Sequence, residues 1–364
     1  MTMRTHDGRL PRLRKGRGAA LNPEGRFASE HREAVDDDWA ASADAAPVAP
    51  LRTDVVEEHA RSIVSSNDSP DVPFTQSVNP YRGCEHGCIY CYARPSHAYL
   101  DLSPGLDFET RLFAKINAAE LLRDTLARPG YRCQTIALGA NTDPYQPVER
   151  RYRVTRSVLE VLAECRHPVG IVTKNALVLR DLDVLVPMAR ARLARVFISV
   201  TTLDHDIARR LEPRASSPTR RLEALRALAA AGVPCGVMVA PVIPFLTDDG
   251  LERVLEAAAA AGARQAGYVL LRLPHEVNGL FRDWLANHYP DKAAHVMSRV
   301  RQMRGGRDND PSFGGRMRGQ GVVADLLEQR FRKACQRLGL NREAQELDTT
   351  RFRPPARGGQ MTLF

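Results

Sequence analysis

The chain of 364 residues lacks a run of about 18 consecutive apolar residues, so no segment reads as a membrane-spanning helix. Its first twenty residues are basic but carry no apolar stretch of the kind a secretory signal needs. Cysteines at disulfide-framework spacing are also missing. Cys133, Cys165, Cys235 and Cys335 stand singly, which fits a reducing compartment, and a cytoplasmic protein is expected. Lysine is scarce: Lys15, Lys115, Lys174, Lys292 and Lys333 are five among 52 Lys and Arg, so arginine carries the net charge of +9. An Arg- and Ala-rich bias arises from GC-rich coding as readily as from a polyanionic partner. The distribution of charge has to decide between the two.

The first 66 residues contain few large apolar side chains. Arg4, Arg9, Arg12, Arg14, Lys15 and Arg17 precede an acidic stretch, Asp36 to Asp38, and then Pro47 and Pro50. Such a segment buries too little surface to fold alone, and a disordered arm over residues 1–66 is expected. From Pro73 the texture changes. Strands are expected over Gln76–Asn79, Thr135–Gly139, Gly170–Thr173, Val196–Thr201, Gly236–Ala240 and Ala266–Arg272. Helices are expected between them over Phe108–Leu126, Thr155–Glu164, Arg180–Ala189, Thr219–Ala231 and Gly250–Ala261. Alternating strands and helices predict a parallel sheet of six βα units, a core over residues 67–290. Residues 291–364 form an Arg/Gly-rich extension with one amphipathic helix, Val322–Leu338, and a tail ending in Gln360-Met-Thr-Leu-Phe364.

Against this background three cysteines stand close together, in Asn79-Pro-Tyr-Arg-Gly-Cys84-Glu-His-Gly-Cys88-Ile-Tyr-Cys91-Tyr92. No fourth cysteine follows nearby. Iron–sulfur clusters usually take four thiolates. Three can hold three irons of a [4Fe–4S] cube and leave the fourth open. The other reading is a zinc site that recruits His86 or a distant His. Zinc sites pair two short ligand units, and no second unit is present.

The cysteine spacing and its flanks, Asn79-Pro-Tyr-Arg-Gly83 and Tyr90-Cys-Tyr92, resemble the radical S-adenosylmethionine (SAM) superfamily. Thr142-Asp-Pro144 and Thr173-Lys-Asn175 resemble its spore photoproduct lyase-like branch, whose members include DNA repair enzymes. The resemblance implies an α/β fold, a partial (β/α)6 TIM-like barrel, with Cys84, Cys88 and Cys91 as cluster ligands. It implies SAM and a [4Fe–4S] cluster as cofactors, and a reductase electron donor of flavodoxin or ferredoxin type. The reaction implied is reductive cleavage of SAM to a 5′-deoxyadenosyl radical that acts on a nucleic-acid component. A small-molecule or peptide substrate is the alternative, as is a metal-stabilised interaction module without activity. Parallel barrels build sites at the C-terminal ends of their strands. By resemblance Tyr90 lies near the adenine. Asn141, Thr142 and Asp143 replace a Gly-Gly-Glu-like turn that binds the methionyl amine. Lys174 suits the SAM carboxylate. Ser199 and Thr201 share a face toward the ribose, and Arg209 and Arg214 follow within reach of an anion. The lyase keeps a hydrogen-donating cysteine in the neighbourhood of Asn141. This chain has Ala140-Asn-Thr142 there, so a different substrate is expected. The Gln360–Phe364 peptide resembles the motif that docks bacterial repair proteins on the DNA sliding clamp. The chain is expected to be a monomer.

Overall fold

The computed structural model describes residues 14–28, 51–343 and 346–355. The acidic stretch at Asp36 and the docking peptide Gln360–Phe364 lie outside these residues. Ten strands are described: β1 (Asp54–Glu58), β2 (Val64–Ser66), β3 (Gln76–Val78), β4 (Tyr81–Arg82), β5 (Arg111–Lys115), β6 (Ile136–Leu138), β7 (Val169–Thr173), β8 (Ala194–Ser199), β9 (Cys235–Val242) and β10 (Gln265–Leu270). The main sheet runs β10-β9-β8-β7-β6-β3-β2. Its first six strands are mutually parallel, and β2 pairs antiparallel with β3 at the edge. These are the six strands expected from the sequence. The sheet ends at β10 and β2 without closing, which makes it a partial barrel.

The helices between them follow local signals. They are α1 (Asp107–Thr110), α2 (Ala118–Leu126), α3 (Glu149–Tyr152), α4 (Val154–Glu164), α5 (Leu182–Arg190), α6 (His205–Leu211), α7 (Pro218–Ala230) and α8 (Leu251–Ala260). Asp204 accepts from the Asp206 and Ile207 amides to start α6. Ser217 caps α7, with Pro218 in its first turn. Gly232 and Gly262 end α7 and α8 at φ 75° and 97°, a region costly for other residues. Strand β6 is wholly buried and β8 nearly so, as expected of parallel strands covered on both faces. Cys165 and Cys235 are buried at the strands' N-terminal side, remote from the mouth.

Two expectations are corrected. The stretch Phe108–Leu126 is not one helix. Arg111–Lys115 alternates, with Leu112 and Ala114 buried and their neighbours less so, and pairing with β1 and β4 in a second, three-stranded sheet outweighs its helical propensity. Residues 1–66 are not uniformly a disordered arm. β1 and β2 lie within them, and Arg17, Gly18 and Ala19 are buried. Arg17 donates to the Glu109 and Leu51 carbonyls and to Thr53. Partners distant in sequence order this segment.

Beyond the barrel lie α9 (Glu276–His288), α10 (Pro290–Gln302), α11 (Gly315–Arg318) and α12 (Val322–Leu338), the last with the bounds expected from its periodicity. The Arg/Gly-rich segment between α10 and α12 is folded. Arg304 is buried and donates to the carbonyls of Leu270, Leu271, Gly315 and Arg316. Arg316 pairs with Asp71 and Ser69, and the Gly314 amide also reaches Asp71. The segment thus spans from the end of β10 to the β2–β3 connection, across the side where the barrel does not close. Arg304→Met removes one end of this strap. Trypsin cleavage between Arg307 and Arg318 should accelerate about tenfold, the equivalent of ~1.4 kcal/mol of local stability, with the barrel intact. An unchanged digestion rate would show that Arg304 does not hold the strap.

Candidate cofactor and active site

Between β4 and α1 the chain makes a loop that carries Cys84, Cys88 and Cys91 and is almost entirely buried. Gly83 and Gly87 turn it at φ 72° and 68°. A buried loop has no ladder to satisfy its backbone, so other elements must supply partners. Arg94, fully buried, supplies most of them. Nε donates to the Cys88 carbonyl, one terminal nitrogen to Pro104 and Gly105, and the other to Gly87 and Glu109. All five guanidinium N–H groups are used. Glu109 in turn accepts the Gly18 and Ala19 amides at 2.9 Å each. A Cβ on Gly18 would stand 1.9 Å from the Gly87 carbonyl oxygen, so the N-terminal segment lies directly on the loop.

The strand ends hold the other side. Gln146, after β6, accepts the Glu85 amide and donates to the Gly83 carbonyl. The Cys84 amide reaches the Phe108 carbonyl, and the Ile89 amide reaches Leu211. Arg214 pairs with Glu85 at 2.6 Å, and its amide reaches the His86 carbonyl. The His86 ring is fully engaged. Asn175 accepts the Leu177 amide through Oδ1, which turns Nδ2 toward His86 Nε2 at 3.3 Å. An amide nitrogen only donates, so Nε2 accepts and the proton sits on Nδ1, facing Asp143 at 3.4 Å. Asp143 also accepts from the Thr173 hydroxyl and the Lys174 and Tyr145 amides. Burial opposes its charge, but His86 and these donors hold its pKa down to about 2. His86 therefore has no nitrogen left for a metal, and the zinc reading loses its nearest fourth ligand.

A second buried group stands beside Cys88. Glu212 accepts from the Tyr90 hydroxyl, the Thr201 hydroxyl and Arg221. Arg221 also donates to the Ser216 and Ser199 carbonyls. Burial disfavours the Glu212 carboxylate, yet Arg221, then Lys174, Thr201 and Tyr90, hold its pKa at about 2. The Lys174 ammonium lies 5.9 Å from the Tyr90 ring centroid.

The sequence-derived site residues fare differently. Lys174, Tyr90, Ser199 and Thr201 are brought together beside the cysteine loop. Thr201 is engaged with Glu212 and the Ala240 carbonyl, and Thr142 with the Tyr81 carbonyl, so both hydroxyls serve the framework. Asn141 lies on the turn after β6, its amide held by Asn79. Arg209 is exposed and pairs with Asp206. Sequence reasoning missed Arg94, Glu109, Gln146, Glu212 and Arg221. Isolated charged residues on a helix or linker carry no motif, and only burial distinguishes them from their solvated neighbours.

The residues present fit an iron–sulfur cube. Burial raises the pKa of all three thiols, and carboxylates or neighbouring thiols add to this at Cys84 and Cys88. The Lys174 charge opposes it at Cys88 and Cys91. No three His, Cys, Asp or Glu side chains among the described residues converge to the spacing of a single ion. A cube holds its ligand sulfurs farther apart than a single ion does. Lys174 on one side and Arg94 behind the loop supply positive charge for an anionic thiolate-bound cluster.

Comparison with known proteins agrees. The model of the radical SAM superfamily matches residues 78–258. An uncharacterized protein of Mycobacterium tuberculosis (strain H37Rv) is 42% identical over 245 residues, covering 66% of this chain and 71% of that one. Another, of Methanocaldococcus jannaschii, is 23% identical over 197 residues, covering 54% and 71%. The fold is similar to spore photoproduct lyase. A double mutant with bound AdoMet and dinucleoside spore photoproduct superposes with a TM-score of 0.56 at 17% identity, over 81% of this chain and 82% of that one.

Glu212→Gln tests the bracing of the site. It leaves Arg221 buried without its anion, and urea denaturation should show a loss of about 3–5 kcal/mol. Breaking the exposed Arg209–Asp206 pair by Arg209→Ala should cost under about 1 kcal/mol. Equal, small effects for both would show that Glu212 and Arg221 do not hold the site.

Proposed function

The chain belongs to the radical SAM superfamily, whose members use a [4Fe–4S] cluster and SAM, and on that premise we propose that it is a radical enzyme acting on a nucleic-acid component. The observation that carries the radical chemistry is the braced, buried loop with three thiols at the C-terminal ends of six parallel strands. When bound, the cluster and SAM supply a reductive cleavage that yields methionine and a 5′-deoxyadenosyl radical. The chain's own residues do the rest. Cys84, Cys88 and Cys91 hold the cluster. Lys174, Asn141, Ser199 and the Tyr90 ring are the groups we assign to SAM, with Thr142 and Thr201 shaping the turns behind them. Arg94, Asp143 and Glu212 keep the loop rigid, and burial excludes water from the site. The single electron comes from a reductant, which we take to be of flavodoxin or ferredoxin type.

Two features support the substrate class. Arg272 follows β10 on the side of the barrel opening, with Asp71-paired Arg316 and buried Arg304 near it, and its unpaired charge there would attract a phosphate. The fold is shared with an enzyme solved with a dinucleoside lesion, although the thiol that the lyase-like branch keeps near Asn141 is absent here. Among the described residues no helix is long and apolar enough to cross a membrane. The Gln360–Phe364 peptide adds a docking contact with the sliding clamp to this reading, on its sequence alone.

Anaerobic reconstitution should give a protein with about four irons that releases 5′-deoxyadenosine from SAM only after reduction, and Cys88→Ala should lose both iron and release. Retention of either by the variant would remove Cys88 from the site. Single-stranded DNA or RNA should bind with a logarithmic salt slope of about −1.4 or steeper, the value for two phosphate contacts. No binding even at low salt would overturn the nucleic-acid assignment.

A further inference from the structure

Arg272 follows β10 by two residues and stands at the barrel's unclosed side. Among the described residues no carboxylate forms an ion pair with its guanidinium, and Asp71 acts on it only through its field. The Nε group is buried without a hydrogen-bond partner. One terminal nitrogen reaches the Met317 sulfur at 3.7 Å, and a thioether is a weak acceptor. The guanidinium carbon lies 5.5 Å from the centroid of the Tyr92 ring. Tyr92 follows the ligand Cys91 directly, and its hydroxyl donates to the Ala140 carbonyl just beyond β6. Arg272 and Tyr92 thus connect the last strand of the barrel with the cluster loop and the end of β6.

The surroundings make the charge more costly. Burial first and then the field of Arg316 disfavour the Arg272 cation, and Arg272 in turn adds to the burial that disfavours the Arg304 cation. Arg316 is held by Asp71, and Arg304 by four carbonyls, with Asp310 as the carboxylate nearest in effect. Arg272 is the member of the group with an unpaired donor and no oxygen acceptor among the described residues. An arginine kept for packing would be cheaper as an apolar residue of its volume. A cation whose buried Nε is unpaired and whose terminal nitrogens meet only a weak sulfur acceptor fits a ligand that brings negative charge.

We propose that Arg272 is the seat of a bound oxyanion, the phosphodiester of a nucleotide substrate or the carboxylate of SAM, beside Tyr92 at the side opening of the barrel. The first source rests on the nucleic-acid reading above; the second does not need it. Bound there, an oxyanion accepts from the terminal nitrogen of Arg272 that Met317 does not take, and it neutralises a site with excess positive charge where the buried Nε–H goes unpaired. Its neighbour is the residue after a cluster ligand, so the rest of a substrate anchored here would extend over the cluster mouth.

The test uses the cluster-loaded protein under anaerobic conditions. Sodium phosphate should raise the wild-type melting midpoint by at least about 2 °C over sodium chloride at equal ionic strength. Arg272→Met should lose this response and, in chloride, melt at or above the wild type, because it removes an uncompensated charge. Arg209→Ala, remote and exposed, should keep the response. The two sources are then separated by equilibrium dialysis. If the anion belongs to the substrate, Arg272→Met weakens a dinucleotide about tenfold or more, leaves its neutral methylphosphonate counterpart unaffected and spares SAM. If it is the cofactor carboxylate, SAM weakens instead. A wild type indifferent to phosphate, or a variant that keeps the response, overturns the proposal. Reduction-dependent release of 5′-deoxyadenosine by the wild type tests the radical reading separately.

Discussion

The structure depends on keeping a non-repetitive loop buried without unpaired backbone groups. The loop from Gly83 to Ala93 has neither a helix nor a sheet ladder to satisfy it. Arg94 and Glu109 solve the problem together. The guanidinium takes carbonyls of the loop and of the Pro104–Gly105 turn, while the carboxylate balances it and takes amides from the N-terminal segment. Removing either charge would strand the other in a low-dielectric interior. The N-terminal segment, the cysteine loop and α1 are therefore one structural unit, although they lie up to 92 residues apart in the chain.

The same principle recurs on the barrel side. Asp143 and Glu212 are both buried carboxylates held well below their usual pKa by cations and hydroxyl or amide donors. Each ties the loop to a different strand end, Asp143 through His86 to β6 and β7, Glu212 through Tyr90 to β8 and α7. Rigid placement of cofactor ligands is what a site needs when small displacements are costly to chemistry. Arg272 contrasts with these residues. The others are paired with oxygen partners within the protein, whereas its Nε is buried unpaired and one terminal nitrogen meets only a sulfur, and that difference is the reason to look there for a ligand.

Much of the architecture was legible in the order of residues. All six parallel strands follow from β-rich runs between helical stretches, and α12 from the spacing of its apolar residues. The errors have a common physical cause. β5 reads as helix because its sequence suits both, and only β1 and β4 beside it decide. The N-terminal segment reads as disordered because its partners, Glu109 and Gly87, are distant in sequence. α10, with Val296, Met297 and Val300 buried, was hidden among the arginines around it.

The sequence by itself determined the three thiols, their spacing and the parallel order of strands, because ligand type and periodicity are local properties. Only the tertiary structure decided which polar residues matter around them. Only the folded chain shows that the Thr142 and Thr201 hydroxyls also tie strand ends to Tyr81 and Glu212. Arg94, Glu109 and Glu212 carry no sequence motif, yet they are buried and brace the site. A charge acquires its role from burial and from the partner it meets. Both depend on contacts between residues far apart in the chain, which no local pattern records.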